Sequence, residues 1–234
     1  RSDVLGHSVF DPAYYLSRSE LEPSNSVDCF YFSTEPHPNK YWKKMVQRKL
    51  WVNKCIQYCD YCNQHLPKSE KHHARLLPHP IVNDVDKDGI FSKTKTVIEF
   101  NQEEERRGWK YLEALGMSSE DKYVCLVARD SGYKNMYQSH IKSDWSYHDY
   151  RNSEIDGYTQ AIQGLIDGGY WVLRMGKGAT KPLDFNHPRV FDYAFTSDRS
   201  DFLDIWLMAR AFFSISSGTG LDTVSTVYRR PVVY

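Results

Sequence analysis

A chain of 234 residues, 41% hydrophobic and 15% aromatic, can bury a core as one large domain or two small ones, which argues against global disorder. Thirty Lys and Arg cancel thirty Asp and Glu, so the basic excess of a nucleic-acid binder is missing. No apolar run approaches the roughly 18 residues needed to cross a bilayer, and five cysteines, an odd number, form no disulfide pattern and fit a reducing, cytoplasmic setting.

No cleavable signal opens the chain, although a start at Arg1 without Met leaves upstream sequence open. Val4-Leu5 running into Gly6-His7 reads as a first strand and its exit, followed by Asp11-Pro12 and a helix over 13–17. Residues 29–32 read as a strand, 41–64 as one long helix, and 65–95 as mostly loop with prolines at 67, 78 and 80. The expectation is a partial α/β domain ending near Phe100. The basic runs 40–44 and 68–75 read as solvated helix faces.

The second half alternates more cleanly. Asn101 with Glu104 forms a capping box for a helix carrying Trp109, Leu112 and Leu115, which Gly116 stops. Residues 123–128 are a buried-strand run, and a long polar loop follows from Arg129 to Asn152. A helix marked by Ile155, Tyr158, Ile162 and Leu165 ends at Gly168-Gly169, and a strand over 170–173 closes on Arg174 to Gly178. A weaker strand lies at 190–193. Ser200 opens a helix, 212–215 is a strand, the turn 216–220 leads into a helix over 221–228, and a last strand begins at Pro231. This alternation predicts a parallel sheet with helices on both faces and a ligand beyond the carboxyl ends of its strands.

Those ends carry the candidate residues. Ser216, Ser217, Gly218, Thr219 and Gly220 would expose backbone N–H groups and hydroxyls at a helix start, which suits a diphosphate; the alternative is an ordinary tight turn. The segment is neither a GxGxxG fingerprint nor a GxxxxGK[ST] phosphate loop. Arg174 and Lys177 offer a fixed and a movable cation, against the alternative of a solvated turn. Arg129 and Arg151 could bind phosphate or pair with neighbouring acids at the surface. His7, with Asp11 four residues on, is a general-base candidate or simply an exposed histidine. Cys55, Cys59 and Cys62 share one helical face and read as a core stripe, since no Gly or Pro makes a zinc knuckle of residues 51–66.

From Phe100 to Tyr234 the order of elements resembles the donor-sugar half of glycosyltransferases with two facing Rossmann-like domains, the GT-B architecture. The segment Tyr147-His148-Asp149-Tyr150-Arg151-Asn152, the run through Arg174-Met175-Gly176, and the start Leu5-Gly6-His7 with Asp11-Pro12 resemble a bacterial glycosyltransferase family found with surface-polysaccharide genes. Fucosyltransferases and heptosyltransferases share the layout. The fucosyltransferase His-x-Arg-Arg pattern is replaced by Val127-Ala128-Arg129-Asp130. Carried over, Arg129, Arg151, Asn152, Arg174, Lys177 and Ser216 to Gly220 become donor-binding residues, with His7 and Asp11 catalytic. The resemblance implies an acceptor-side domain over 1–100 and a nucleotide-sugar domain over 101–234. It also implies further closing helices, so a C-terminal truncation is expected.

The implied activity is transfer of a sugar from a nucleotide-diphosphate donor to a glycan or lipid-linked acceptor for a surface polysaccharide. A base would deprotonate the acceptor hydroxyl while cations and helix N–H groups stabilise the departing diphosphate. No cofactor or metal and no nucleic-acid partner enters this reading. The setting implied is cytoplasmic, with peripheral association with the inner membrane left open. A nucleotide-sugar epimerase and a non-catalytic sugar-nucleotide or glycan binding module are the alternatives.

Overall fold

A computed structural model describes residues 4–33, 36–73, 86–130, 132 and 152–234. Contacts divide the chain into two compact units, 1–100 and 101–234. In the first unit, helix α1 (Leu5–Leu21) buries Val9, Phe10, Ala13, Tyr14 and Ser17, the spacing of an amphipathic helix. Helix α2 (Lys40–Gln47) starts at Asn39, whose side chain accepts from the Trp42 N–H, and buries Trp42, Met45 and Val46. Helix α3 (Ile56–Gln64) buries no residue. The short α4 (Ile90–Lys93) sets Phe91 edge-on against Phe10 and Tyr14, with ring centroids 5.4 and 6.0 Å apart.

Three expectations for this unit fail. Residues 4–7 form no strand: the apolar period over 5–17 makes them the start of α1, with Pro12 inside it. Pro12 has no N–H to give the Ser8 carbonyl, a defect that ordinarily breaks a helix. The Trp42 indole N–H donates to that carbonyl instead, at 2.7 Å. The long helix expected over 41–64 breaks between α2 and α3. Phe30 and Val52 form an isolated parallel bridge there, and the Asn53 side chain accepts from the Cys55 N–H at 2.9 Å, starting a new helix. That bridge is also all that forms of the strand expected over 29–32. Among its described residues the first unit is therefore helical rather than α/β.

The second unit holds a five-stranded, all-parallel sheet. Its strands are β1 (Tyr123–Val127), β2 (Trp171–Arg174), β3 (Val190–Phe191), β4 (Phe213–Ser216) and β5 (Val232–Val233), in spatial order β3-β2-β1-β4-β5. The expected strands and their parallel pairing are present. Helices α5 (Gln102–Ala114), α6 (Thr159–Asp167), α7 (Asp201–Arg210) and α8 (Asp222–Val227) complete the unit. Side chains alternate across the sheet. Leu126 and Val172 pack with Ile155 and with Ile162 of α6 on one face. On the other, the Tyr123 hydroxyl donates to the Leu207 carbonyl of α7 at 2.9 Å, and Ser214 bonds Ser225 of α8 at 3.1 Å. Both faces are thus covered by helices.

Helix α5 begins with the expected capping box, Asn101 and Glu104 bonding each other's backbone at 2.8 and 2.9 Å. It then meets α7 closely. A Cβ at Gly108 would lie 2.1 Å from the Trp206 ring, and Glu105 accepts from the Trp206 indole N–H and pairs with Arg210. Overpacking there has no flexible neighbour to absorb it. Gly108→Ala is expected to cost about 1–3 kcal/mol, read as a lower denaturant midpoint at unchanged slope; an unchanged midpoint would refute this contact.

Candidate functional site

Strands β2 and β3 wind to one side of β1, and β4 and β5 to the other, so the connections diverge between β1 and β4. In a parallel sheet this switch point opens a crevice at the carboxyl ends. Arg129 leaves β1 at that point. Its backbone N–H donates to Ser217 Oγ at 2.9 Å, and its guanidinium donates to the Gly218 carbonyl at 3.2 Å. The Ser217 N–H in turn donates to the Val127 carbonyl at 3.2 Å. Arg129 and the turn after β4, 88 residues apart in sequence, therefore meet at the switch point. Asn152 is exposed and joins them through its neighbour: the Ser153 N–H donates to the Arg129 carbonyl at 2.9 Å. Arg151 lies outside the described residues.

The turn itself holds an internal anion. The Asp222 carboxylate, 4% exposed, accepts from Ser216 Oγ at 2.6 Å and from the Thr219 N–H at 2.8 Å. The Gly218 N–H donates to Ser216 Oγ, and the Leu221 N–H to Thr219 Oγ1. Of the donors expected for a diphosphate, the Ser216 hydroxyl and the Gly218 and Thr219 N–H groups are thus engaged within the turn, and the Ser217 N–H on β1. The Arg129 guanidinium brings a positive charge to this turn. Asp222 was missed, though Thr219-x-x-Asp222 has helix-start spacing that could have found it. Asp130 was missed too. It accepts from the Gly132 N–H and from the Thr180 backbone and hydroxyl, at 2.9, 2.8 and 3.0 Å, tying the loop after β1 to the loop after β2.

Arg174 and Lys177 lie elsewhere. Arg174 is 1% exposed, pairs with Asp192 at 3.1 Å, donates to the Lys181 carbonyl at 3.1 Å, and lies over the Phe195 ring. It is a core cation buried beneath residues 181–195, not the rim residue expected from its place at a strand end. Lys177 pairs with Asp201 in the first turn of α7 at 3.5 Å. Beside it, Arg199 and Tyr193 bond the buried Asp204 at 2.8 and 3.1 Å, while burial pushes that carboxyl up to about 6.

Compared with protein-family models, curated proteins and solved structures, the chain has no match.

In the first unit, His7 and Asp11 sit one turn apart on α1, on a helix instead of a strand-exit loop. Asp11 lines a cleft of about 90 Å³ with Tyr15, Tyr31 and Phe32. The cysteines depart from expectation: Cys55, Cys59 and Cys62 are all exposed and form no core stripe. The side of α3 turned inward instead carries Ile56, Asp60 and Asn63. No group of three or more potential metal ligands is present among the described residues. Asp-x-Asp spacing, whose expected absence left a divalent metal out of the sequence reading, does occur at Asp84, Asp86 and Asp88. Asp84 lies outside the described residues; Asp86 accepts from the Ile90 and Phe91 N–H groups, and Asp88 from the Tyr14 hydroxyl. These two acids start α4 and fasten it to α1. No described helix is long and apolar enough to cross a membrane.

Proposed function

We propose that the second unit binds a nucleotide-diphosphate sugar in the crevice between β1 and β4, and that the chain is a glycosyltransferase with a Rossmann-like donor domain in a GT-B-type arrangement. The observation that carries this reading is the convergence of Arg129 with the Ser216–Gly220 turn at the switch point of a parallel sheet. Arg129 would hold the diphosphate, because a guanidinium matches phosphate oxygens with paired donors. Asp222 would shape the turn rather than touch the ligand. Exposed Asn152 would line the entrance. His7 and Asp11 on α1 would serve the acceptor, one of them as base for its hydroxyl.

A thermal-shift panel with GDP, UDP, ADP, CMP and dTDP tests the reading. A ligand at about 100 times its Kd stabilises by about 2.7 kcal/mol. Arg129→Ala should weaken the active nucleotide by roughly 10- to 150-fold, the loss of a charge-assisted hydrogen bond at about 1.5–3 kcal/mol. No shift with any of the five nucleotides would remove the donor site. Epimer formation without transfer would assign the epimerase chemistry, and saturable binding without turnover a binding module.

A further inference from the structure

The outward side of α3 departs from the usual pattern of a surface helix, which turns charged groups to water. Its inward residues are Ile56, Asp60 and Asn63, with Asp60 held by the Tyr31 hydroxyl at 2.6 Å. About half of the circumference instead carries Tyr61, Tyr58, Cys62, Cys55 and Cys59 side by side, all exposed and none charged. Tyr58 is 71% exposed and Tyr61 64%, with Trp51 at 60% just before the helix and Leu66 at 58% just after it. The stretch of chain that contains α3 is strongly basic. Between Lys40 and His73 the chain has eight Lys or Arg and two acids, Asp60 and Glu70, an excess of six positive charges in a protein of net charge zero. Seven of those eight cations are exposed.

We propose that this face of α3 docks on an anionic lipid bilayer. Tyr and Trp rings settle at headgroup depth, where the apolar body is buried and the polar tip stays wet. Exposed lysines flanking the helix along the chain, Lys54 before it and Lys68 and Lys71 after it, add attraction to a negatively charged leaflet. A second copy of the chain is a poorer occupant, since it would bring the same excess of six charges against the first. The proposal rests on the first unit alone and stands apart from the donor site.

Co-sedimentation of the whole chain with vesicles tests it, using phosphatidylcholine alone and phosphatidylcholine mixed with phosphatidylglycerol. Binding is expected to the mixture only, and to weaken as salt rises from about 0.05 to about 0.5 M, where charges are screened. Tyr58→Ser with Tyr61→Ser, and separately Lys54→Glu with Lys68→Glu and Lys71→Glu, should each lower binding about tenfold or more. Far-UV circular dichroism should not change, because all five side chains are exposed. Equal binding to both vesicle types, binding to neither, or wild-type binding by either variant overturns the proposal. So does a dimer, or an oligonucleotide complex, that the same variants dissolve while vesicles go unbound.

Discussion

Arg174→Ala is expected to lower the stability of the second unit by about 3–5 kcal/mol, and to act on binding only through that loss. The guanidinium is 1% exposed, so its removal opens a cavity and strips the half-buried Asp192 of its charge partner. Asp192 would keep only its bond from the Leu183 N–H at 2.7 Å, and the Lys181 carbonyl would lose the Arg174 donor. The segment 181–192 is fastened to β2 by these contacts, so it should loosen first. Equilibrium denaturation of Arg174→Ala beside Arg129→Ala decides the matter. Arg129, half-buried and with its guanidinium donating to the Gly218 carbonyl, should cost about 1 kcal/mol. An Arg174→Ala protein of wild-type midpoint with weakened nucleotide binding would return Arg174 to the site and refute the core role.

Trp42→Ala should destabilise the first unit by about 3–5 kcal/mol, the range for emptying a fully buried aromatic position. Trp42 is 0% exposed and its indole N–H is the partner that Pro12 denies to the Ser8 carbonyl. Trp42→Phe isolates that bond: a buried carbonyl left unsatisfied costs about 1–3 kcal/mol. Pro12→Ala restores an N–H at the right place in α1. The cost of Trp42→Phe should therefore shrink in the Pro12→Ala background, a coupling that a double-mutant cycle reads directly. Equal costs in both backgrounds would mean that the indole hydrogen bond does not compensate for the proline.

The second unit was legible because its determinants are local. Strands buried on both faces must be uninterrupted apolar runs, as at 123–127 and 171–173, and the helices between them announce their starts at Asn101 and Ser200. Strand–helix alternation then leaves a parallel sheet, and the crevice follows from its topology. The cations were less legible. Arg174 is the last residue of β2, paired in register with Leu126, whereas Arg129 lies just past the end of β1; one is covered by residues 181–195 and the other reaches the turn after β4. The point at which each strand ends and the path of a later segment separate them, and no local pattern encodes that path. Asp222 is intermediate: its spacing from Thr219 is local, but its near-complete burial, which makes it an internal anion, comes from packing.

In the first unit tertiary contacts overrode local signals. A lone proline breaks α1 by local rules, and a tryptophan 34 residues beyond Ser8 mends it. A single bridge between Phe30 and Val52 splits what reads as one helix. The sequence by itself determined where chain can be buried, through apolar period, caps and glycine stops. Tertiary structure decided which polar group meets which, because a buried donor, acceptor or charge is satisfied by whatever the fold brings within about 3 Å, whatever its distance along the chain.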